Sequence, residues 1–339
     1  MKPSELKSIL SHWPKPFPSA NLVDRHRGFS GAIVYRLDVQ GEHFALREWR
    51  KDQIPVERLQ GLHGLLRFVF DRGITQVSVP VPTTKHQTFH QRYGVFRQIE
   101  PWMPGRADFR EDPSDEKLRS AMRTLARFHL AANEFAADSE CSEWFSVQRE
   151  ARSPTIGERL ERLEYSLSYS GDPFLLRQID QIPVSVGIKS ALHAVLSALE
   201  THGPSVREEL QSLHSSKFRL QPSLRDVWHD HILFEGDEVT GLIDPSACRS
   251  ENPVIDLSRL LVSFDVSDRT GFALDVYEQL RPLTPDEHRL RRVFDRSQFV
   301  LGGVTWIERL VTGLIDPDSL ERIETRLNEI IGRLPLLES

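Results

Sequence analysis

The chain has 339 residues, with 43 basic and 49 acidic side chains and a formal charge of −6 at pH 7; at roughly 100–200 residues per domain, that length fits two domains or one two-lobed unit. The 39% hydrophobic and 27% charged fractions are those of an ordinary globular protein, and the two cysteines, Cys141 and Cys248, are too few for a disulfide framework. No apolar run approaches the ~20 residues that span a bilayer, the mild acidity argues against nucleic acid as a partner, and the cysteine usage together with a start lacking an apolar signal core points to a cytoplasmic setting.

The first hundred residues read as β-rich with one helix. Gly28-Phe29-Ser30-Gly31 is a turn signal, and the run from Ala32 to Val39 follows as a strand. Gln40-Gly41-Glu42 is a tight connection into a partner strand, His43 to Trp49. Pro55 opens a helix whose apolar residues Val56, Leu59, Leu62, Leu66 and Val69 recur at helical spacing, with Gly73 as its stop. Gln76 to Val81 and Tyr93 to Ile99 read as two further strands. After residue 105 the texture is helical: Glu116 to Ala132, Ile156 to Tyr165, Val186 to Leu199 and Ser205 to Leu213. From Leu224 the pattern turns to a hairpin, His231 to Phe234 and Val239 to Ile243, and from Pro253 it is again mostly helical. The expected organisation is α+β, a small β-rich lobe over residues 1–100 and a larger helical lobe over 101–339.

The chemistry concentrates around that hairpin. Asp226 lies in the loop that feeds it, and Asp244 ends its return strand. The two ends of a hairpin are neighbours, so both carboxylates should face one site. Phosphoryl transfer needs such a pair, one carboxylate to orient and deprotonate a hydroxyl and one to hold Mg²⁺ on the phosphates. His231, at the start of the first strand, stands where a third ligand belongs. His229-Asp230-His231 also has the His-x-His spacing of a strand-borne metal site, although a role for His229 in steadying the Asp226 loop is preferred.

Leu224-Arg225-Asp226, Gly241-Leu242-Ile243-Asp244-Pro245 and Asn252-Pro253-Val254-Ile255-Asp256-Leu257 together resemble the catalytic stretch of the aminoglycoside phosphotransferase and choline kinase family, relatives of the protein kinases. The resemblance implies a protein-kinase-like two-lobed fold, ATP and Mg²⁺ as cofactors, and a small-molecule hydroxyl as acceptor. It assigns Asp226 as catalytic base, Asp244 and His231 as metal ligands, and Asp256 as a support of the catalytic loop. In the small lobe, Ser30 and Gly31 take the place of the family's phosphate-covering turn, and Arg47 that of its phosphate-binding lysine. Phe96 to Gly105 resembles the connection between lobes, so that the backbone of Gln98 to Glu100 would meet the adenine.

Two of these positions depart from the family's pattern in kind. His231 replaces an asparagine, whose hard oxygen suits Mg²⁺ better than imidazole does. Arg47 keeps the charge of lysine but presents a planar fork. The glutamate that should orient this base is also out of register. Glu57, in the first turn of the helix, either pairs with Arg47 or simply answers the helix dipole. The alternative to an active enzyme is a pseudokinase or a nucleotide-binding module without catalysis.

Overall fold

The computed structural model describes residues 2–27, 32–136, 140–313 and 320–337. In chain order the described elements are α1 (Pro3–Leu10), β1 (Asn21–Arg27), β2 (Ile33–Val39), β3 (Glu42–Arg50), α2 (Val56–Asp71), β4 (His90–Arg92), β5 (Val95–Pro101), α3 (Asp115–Ala132), β6 (Gln148–Ala151), α4 (Pro154–Tyr169), α5 (Pro173–Gln181) and α6 (Val186–Leu213). There follow β7 (Phe218–Ser223), β8 (Ile232–Glu235), β9 (Glu238–Leu242), β10 (Arg249–Glu251), α7 (Val254–Phe264), α8 (Thr270–Glu278), α9 (Pro285–Val311) and α10 (Leu320–Arg333). A β-sheet region occupies the N-terminal part and helices dominate the C-terminal part, as the α+β reading expects.

The chain divides into two compact units. The first comprises Met1–Gln148, Gln221–Asp256 and Leu260–Pro282. Its sheet runs β1-β2-β3-β5-β4, antiparallel throughout. The β2–β3 turn places Gln40 and Gly41 at φ of 59° and 91°, the left-handed pair that matches the twist of a two-residue hairpin. Alternation along β3 sends Leu46 to one face of the sheet and Arg47 to the other. On the Leu46 face, Leu37, Leu46 and Ile99 pack under Leu10, Trp13 and Phe17 of the N-terminal segment. Each of these three sheet residues is 0% exposed, and such burial contributes roughly 1.5–3 kcal/mol per side chain. On the opposite face, Trp49 and Phe96 pack with Leu59 of α2, and Arg47, Gln98 and Glu100 lie farther along the same two strands. The elements not anticipated from the sequence include α1 and β1. Gln76 to Val81, expected as a strand, contributes only an isolated bridge between Val77 and Leu242. Pro80 and Pro82 withhold the backbone N–H groups a ladder would need.

The chain leaves the sheet through Gly105, at φ 96°. Arg106 exchanges backbone hydrogen bonds with Phe234, at 2.9 and 2.8 Å, which stitches this exit to β8. A Cβ at Gly105 would sit 2.6 Å from the Phe234 carbonyl and collide with the Thr240 hydroxyl. Gly105→Ala should therefore cost about 3 kcal/mol, combining left-handed strain with overpacking. Gly94→Ala, which has φ 73° but open space around it, should cost about 1 kcal/mol. Urea unfolding midpoints of the two variants check the difference.

The second unit comprises Arg149–Leu220, Leu257–Arg259 and Leu283–Ser339. Its centre is α6 against α9, where Gly303 lets Val195 approach closely. The sequence suggests two helices, Val186 to Leu199 and Ser205 to Leu213, but α6 runs unbroken for 28 residues with Pro204 inside it. Leu199, Gly203, Val206 and Leu210 form one continuous buried stripe across the proline, and burial of that stripe offsets the roughly 3 kcal/mol that an interior proline costs.

Candidate active site

The loop from Leu224 to His231 enters from β7, which pairs with β10 through Ser223 and Arg249. Arg225 adopts φ 63°, a conformation that needs external support in a non-glycine residue. Asp256, in the first turn of α7 and 0% exposed, supplies it. Its Oδ2 accepts from the Leu224 N–H at 2.7 Å and its Oδ1 from the Arg225 N–H at 2.5 Å. A carboxylate only accepts, so the His129 Nε2–H donates to Asp256 Oδ2 at 2.9 Å, and His129 Nδ1 and the Tyr277 hydroxyl share a hydrogen bond at 2.8 Å. His129 and Tyr277 are thus outer supports of the loop that sequence reading did not single out.

His231 closes the loop from the other side. The indole Nε1–H of Trp228 donates to His231 Nε2 at 2.7 Å, and Nδ1 lies 2.7 Å from the Asp226 carbonyl. An indole N–H cannot accept, so Nε2 carries the lone pair and Nδ1 carries the proton. Both ring nitrogens are committed to holding Trp228 and the Asp226 backbone. The lone pair of His231, expected to hold a metal, is here engaged by Trp228 within the loop. Residues His229–His231 form a 3₁₀ turn, so His229 and His231 do not share a strand face either.

The hairpin β8–β9 returns beside the loop. Ile243 N–H donates to the His231 carbonyl at 3.0 Å, and the next residue, Asp244, sits in the left-handed region at φ 53°, ψ 59°. Gly241, just before this turn, is bare because a Cβ there would press on Met103 and Leu233, 2.9 and 3.0 Å away. The Asp244 carboxylate accepts from Arg47 Nη1 at 3.1 Å. Burial alone would raise its carboxyl pKa, but the Arg47 guanidinium and a Ser246 hydrogen bond outweigh that and hold it below the ordinary value.

Arg47 is 8% exposed. Its Nε and Nη2 donate to Glu100 Oε1 at 3.3 and 3.2 Å. Desolvation works against its charge, yet the carboxylates of Glu100 and Asp244 raise its pKa above the usual arginine value. Behind Glu100 the bonds continue. Gln98 Nε2 donates to Glu100 Oε2 at 2.7 Å, which leaves Gln98 Oε1 to accept from Trp49 Nε1 at 3.3 Å and His63 Nε2 at 3.0 Å. His63 Nδ1 then accepts from the Thr88 hydroxyl at 2.7 Å.

Burial lowers the His63 pKa from 6.5 to about 4. Between these values the unfolded chain binds a proton that the folded chain refuses, so stability is complete above pH 6.5 and drains away as pH falls toward 4. At 1.36 kcal/mol per pKa unit the loss is about 3 kcal/mol. His63→Gln should remove this part of the acid sensitivity, and unfolding free energies of the two proteins at pH 7 and pH 4 test it.

The remaining expectations fare differently. Ser30 and Gly31 lie outside the described residues. Glu57 stands half-buried in the first turn of α2. Among the described residues its carboxylate bonds to nothing, and only its carbonyl is engaged, by the Cys141 thiol at 3.2 Å. Glu57 does not pair with Arg47, because Glu100 and Asp244 already do. The backbone of Gln98 and Glu100 is not open to a base. These residues oppose Arg47 and Ala45 in the β3–β5 ladder. Trp102 N–H bonds to the His43 carbonyl and Lys51 N–H to the Gly94 carbonyl at the two ends of the same register, while the Ile99 carbonyl turns outward to Val81. Hydrogen-bonding direction alternates along a strand, so the polar backbone of Gln98 and Glu100 faces β3. They enter the site through their side chains.

Asp244 is the carboxylate suited to a divalent cation, with its side chain 29% exposed. Among the described residues no three His, Cys, Asp or Glu side chains form a group that could hold a metal. This donor set fits Mg²⁺, which takes one or two carboxylates and is completed by water and substrate phosphates.

A family model described as "Phosphotransferase enzyme family" matches residues 23–293. Among solved structures the chain is similar to an aminoglycoside phosphotransferase from Alicyclobacillus acidocaldarius, with 16% identity, 98% of this chain and 95% of that one covered, and a TM-score of 0.62. It is also similar to a microcompartment-associated aminopropanol kinase, with 13% identity, coverages of 98% and 97%, and a TM-score of 0.59. A third is a spectinomycin phosphotransferase in complex with ADP and its antibiotic, with 13% identity, coverages of 91% and 93%, and a TM-score of 0.53. No curated protein sequence matches the chain.

Proposed function

The chain belongs to the phosphotransferase enzyme family, and from that premise we propose that it transfers the γ-phosphoryl group of ATP to a hydroxyl of a small molecule. The observation that carries this reading is the paired construction around the hairpin. One carboxylate, Asp226, stands in a strained loop clamped through its backbone by Asp256 and His231. The other, Asp244, stands in a strained turn beside Arg47. Asp226 orients the acceptor hydroxyl and takes its proton. Arg47 neutralises the phosphates, and Asp244 holds Mg²⁺, whose charge offsets that of the transferring group. The purine meets backbone beyond the sheet, at Met103, whose N–H and carbonyl make no hydrogen bond among the described residues. Residues 1–100 supply Arg47 to the phosphates, and residues 101–339 supply the purine contact, the catalytic loop and the acceptor site. Both cysteines are buried thiols, in keeping with a cytoplasmic protein, and among the described residues no helix is long and apolar enough to cross a membrane.

The test is transfer of labelled phosphate from ATP to a panel of hydroxylated compounds, including aminopropanol and spectinomycin, with and without Mg²⁺. Metal-dependent transfer to any of them supports the reading. Nucleotide binding without transfer to any acceptor, or to water, supports the second reading, a binding module without catalysis. His231 favours that second reading, because both ring nitrogens at the position expected to complete the metal site are engaged within the loop.

A further inference from the structure

Of the two readings the sequence leaves for Glu57 on α2, pairing with Arg47 finds no such bond in the structure. Resting on the phosphotransferase reading of the site, we infer that Glu100, itself held by Gln98 and His63, is the positioning residue for Arg47. In the β3–β5 ladder Arg47 opposes Gln98 and Ala45 opposes Glu100. Glu100 is thus the diagonal neighbour of Arg47 on the same sheet face, within reach of long side chains. Its Oε1 takes two N–H groups of the fork, and its Oε2 is held by Gln98. The third arm, Nη1, is left to point at Asp244.

Every hydrogen bond in this chain of groups has one possible direction. The Gln98 amide is fixed because its NH₂ must face the Glu100 carboxylate. Its oxygen then requires the His63 Nε2–H, and His63 Nδ1 requires the Thr88 hydroxyl proton. A fully satisfied buried network holds a single arrangement. His63, with its pKa lowered to about 4 by burial, keeps that direction throughout the neutral range. The orientation of Arg47 is therefore set by two adjacent, backbone-paired strands. His63, on α2, reaches Arg47 only at second hand, through Gln98 and Glu100.

The experiment compares Glu100→Gln with Glu57→Gln. In Glu100→Gln the KM for ATP should rise about tenfold or more, the size of a charge-assisted hydrogen bond, with a smaller change in kcat. Glu57→Gln should match the wild type. In an Arg47→Met background the Glu100 substitution should have no further effect, which a merely structural loss would not reproduce. A readout that needs no nucleotide is the Arg47 Nε–Hε NMR resonance, assigned by its loss in Arg47→Met. It should shift and exchange faster in Glu100→Gln and stay in place in Glu57→Gln. Gln98→Met, which leaves both charges intact, should produce a smaller shift of the same resonance and serves if Glu100→Gln does not fold. An unchanged resonance in both variants, or a Glu100 effect that persists without Arg47, overturns the inference. A wild-type protein that binds no nucleotide overturns the phosphotransferase reading instead, and the positioning of Arg47 is then judged on the resonance.

Discussion

Replacing Asp226 with asparagine is expected to lower kcat about 10³-fold, within the 10²–10⁴ range of a positioned acid–base group, while nucleotide affinity changes less than about threefold. Asparagine keeps the shape of the side chain but cannot take the acceptor's proton. The loop should survive the change, because asparagine keeps the backbone bond that ties this residue to His231. The Asp226 carbonyl accepts from His231 Nδ1, and the strained neighbour Arg225 is held by Asp256 through its own N–H. Steady-state kinetics with calorimetric nucleotide binding separates the two quantities. Unchanged kcat in Asp226→Asn would remove the base from the mechanism and leave the clamped loop as scaffold.

How much of this site was legible in the sequence differs from residue to residue. The spacing of Asp226, Asp244 and Asp256 was legible because it follows from local structure: a loop, a hairpin of fixed length, and the first turn of the next helix. Arg47 was legible as a strand residue on the face opposite Leu46, since alternation has a period of 2. Its partner was not. Which residue of β5 lies diagonal to Arg47 depends on the register between strands separated by all of α2, and periodicity within one strand carries no information about that. A one-residue slip would have exchanged Gln98 and Glu100 for Arg97 and Ile99 on the Arg47 face. The same register turned the backbone of Gln98 and Glu100 toward β3 and away from any base.

The setting of His231 was not legible for a different reason. Its residue type allows a metal ligand, a cation or a neutral brace, and the choice is made by neighbours. Trp228, three residues earlier, donates to the lone pair that a metal would need, which turns a candidate ligand into a brace of the Asp226 loop. Pro204 was misleading in the opposite direction. Its local penalty was legible, whereas the continuous buried stripe that overrides it in α6 is tertiary.

The Arg47–Asp244 pair leads to a two-sided expectation for Asp244→Asn. Without nucleotide, the Asp244 carboxylate occupies the one arm of Arg47 that Glu100 does not use. A triphosphate arriving without metal must displace that carboxylate from Arg47 and also approach its negative charge. With metal, the same carboxylate is freed to hold the cation. Removing the charge should therefore tighten nucleotide binding in chelator-treated buffer by about tenfold, or 1.4 kcal/mol, while transfer in the presence of Mg²⁺ falls by about 10³-fold. A lost fold or a merely misplaced turn would weaken binding under both conditions. The opposite signs are the mark of a carboxylate that competes for Arg47 until a cation relieves it. Calorimetric titration with ATP, with and without Mg²⁺, reads both signs on one preparation, and weaker binding in the metal-free arm would show that Arg47 is not the phosphate-binding base.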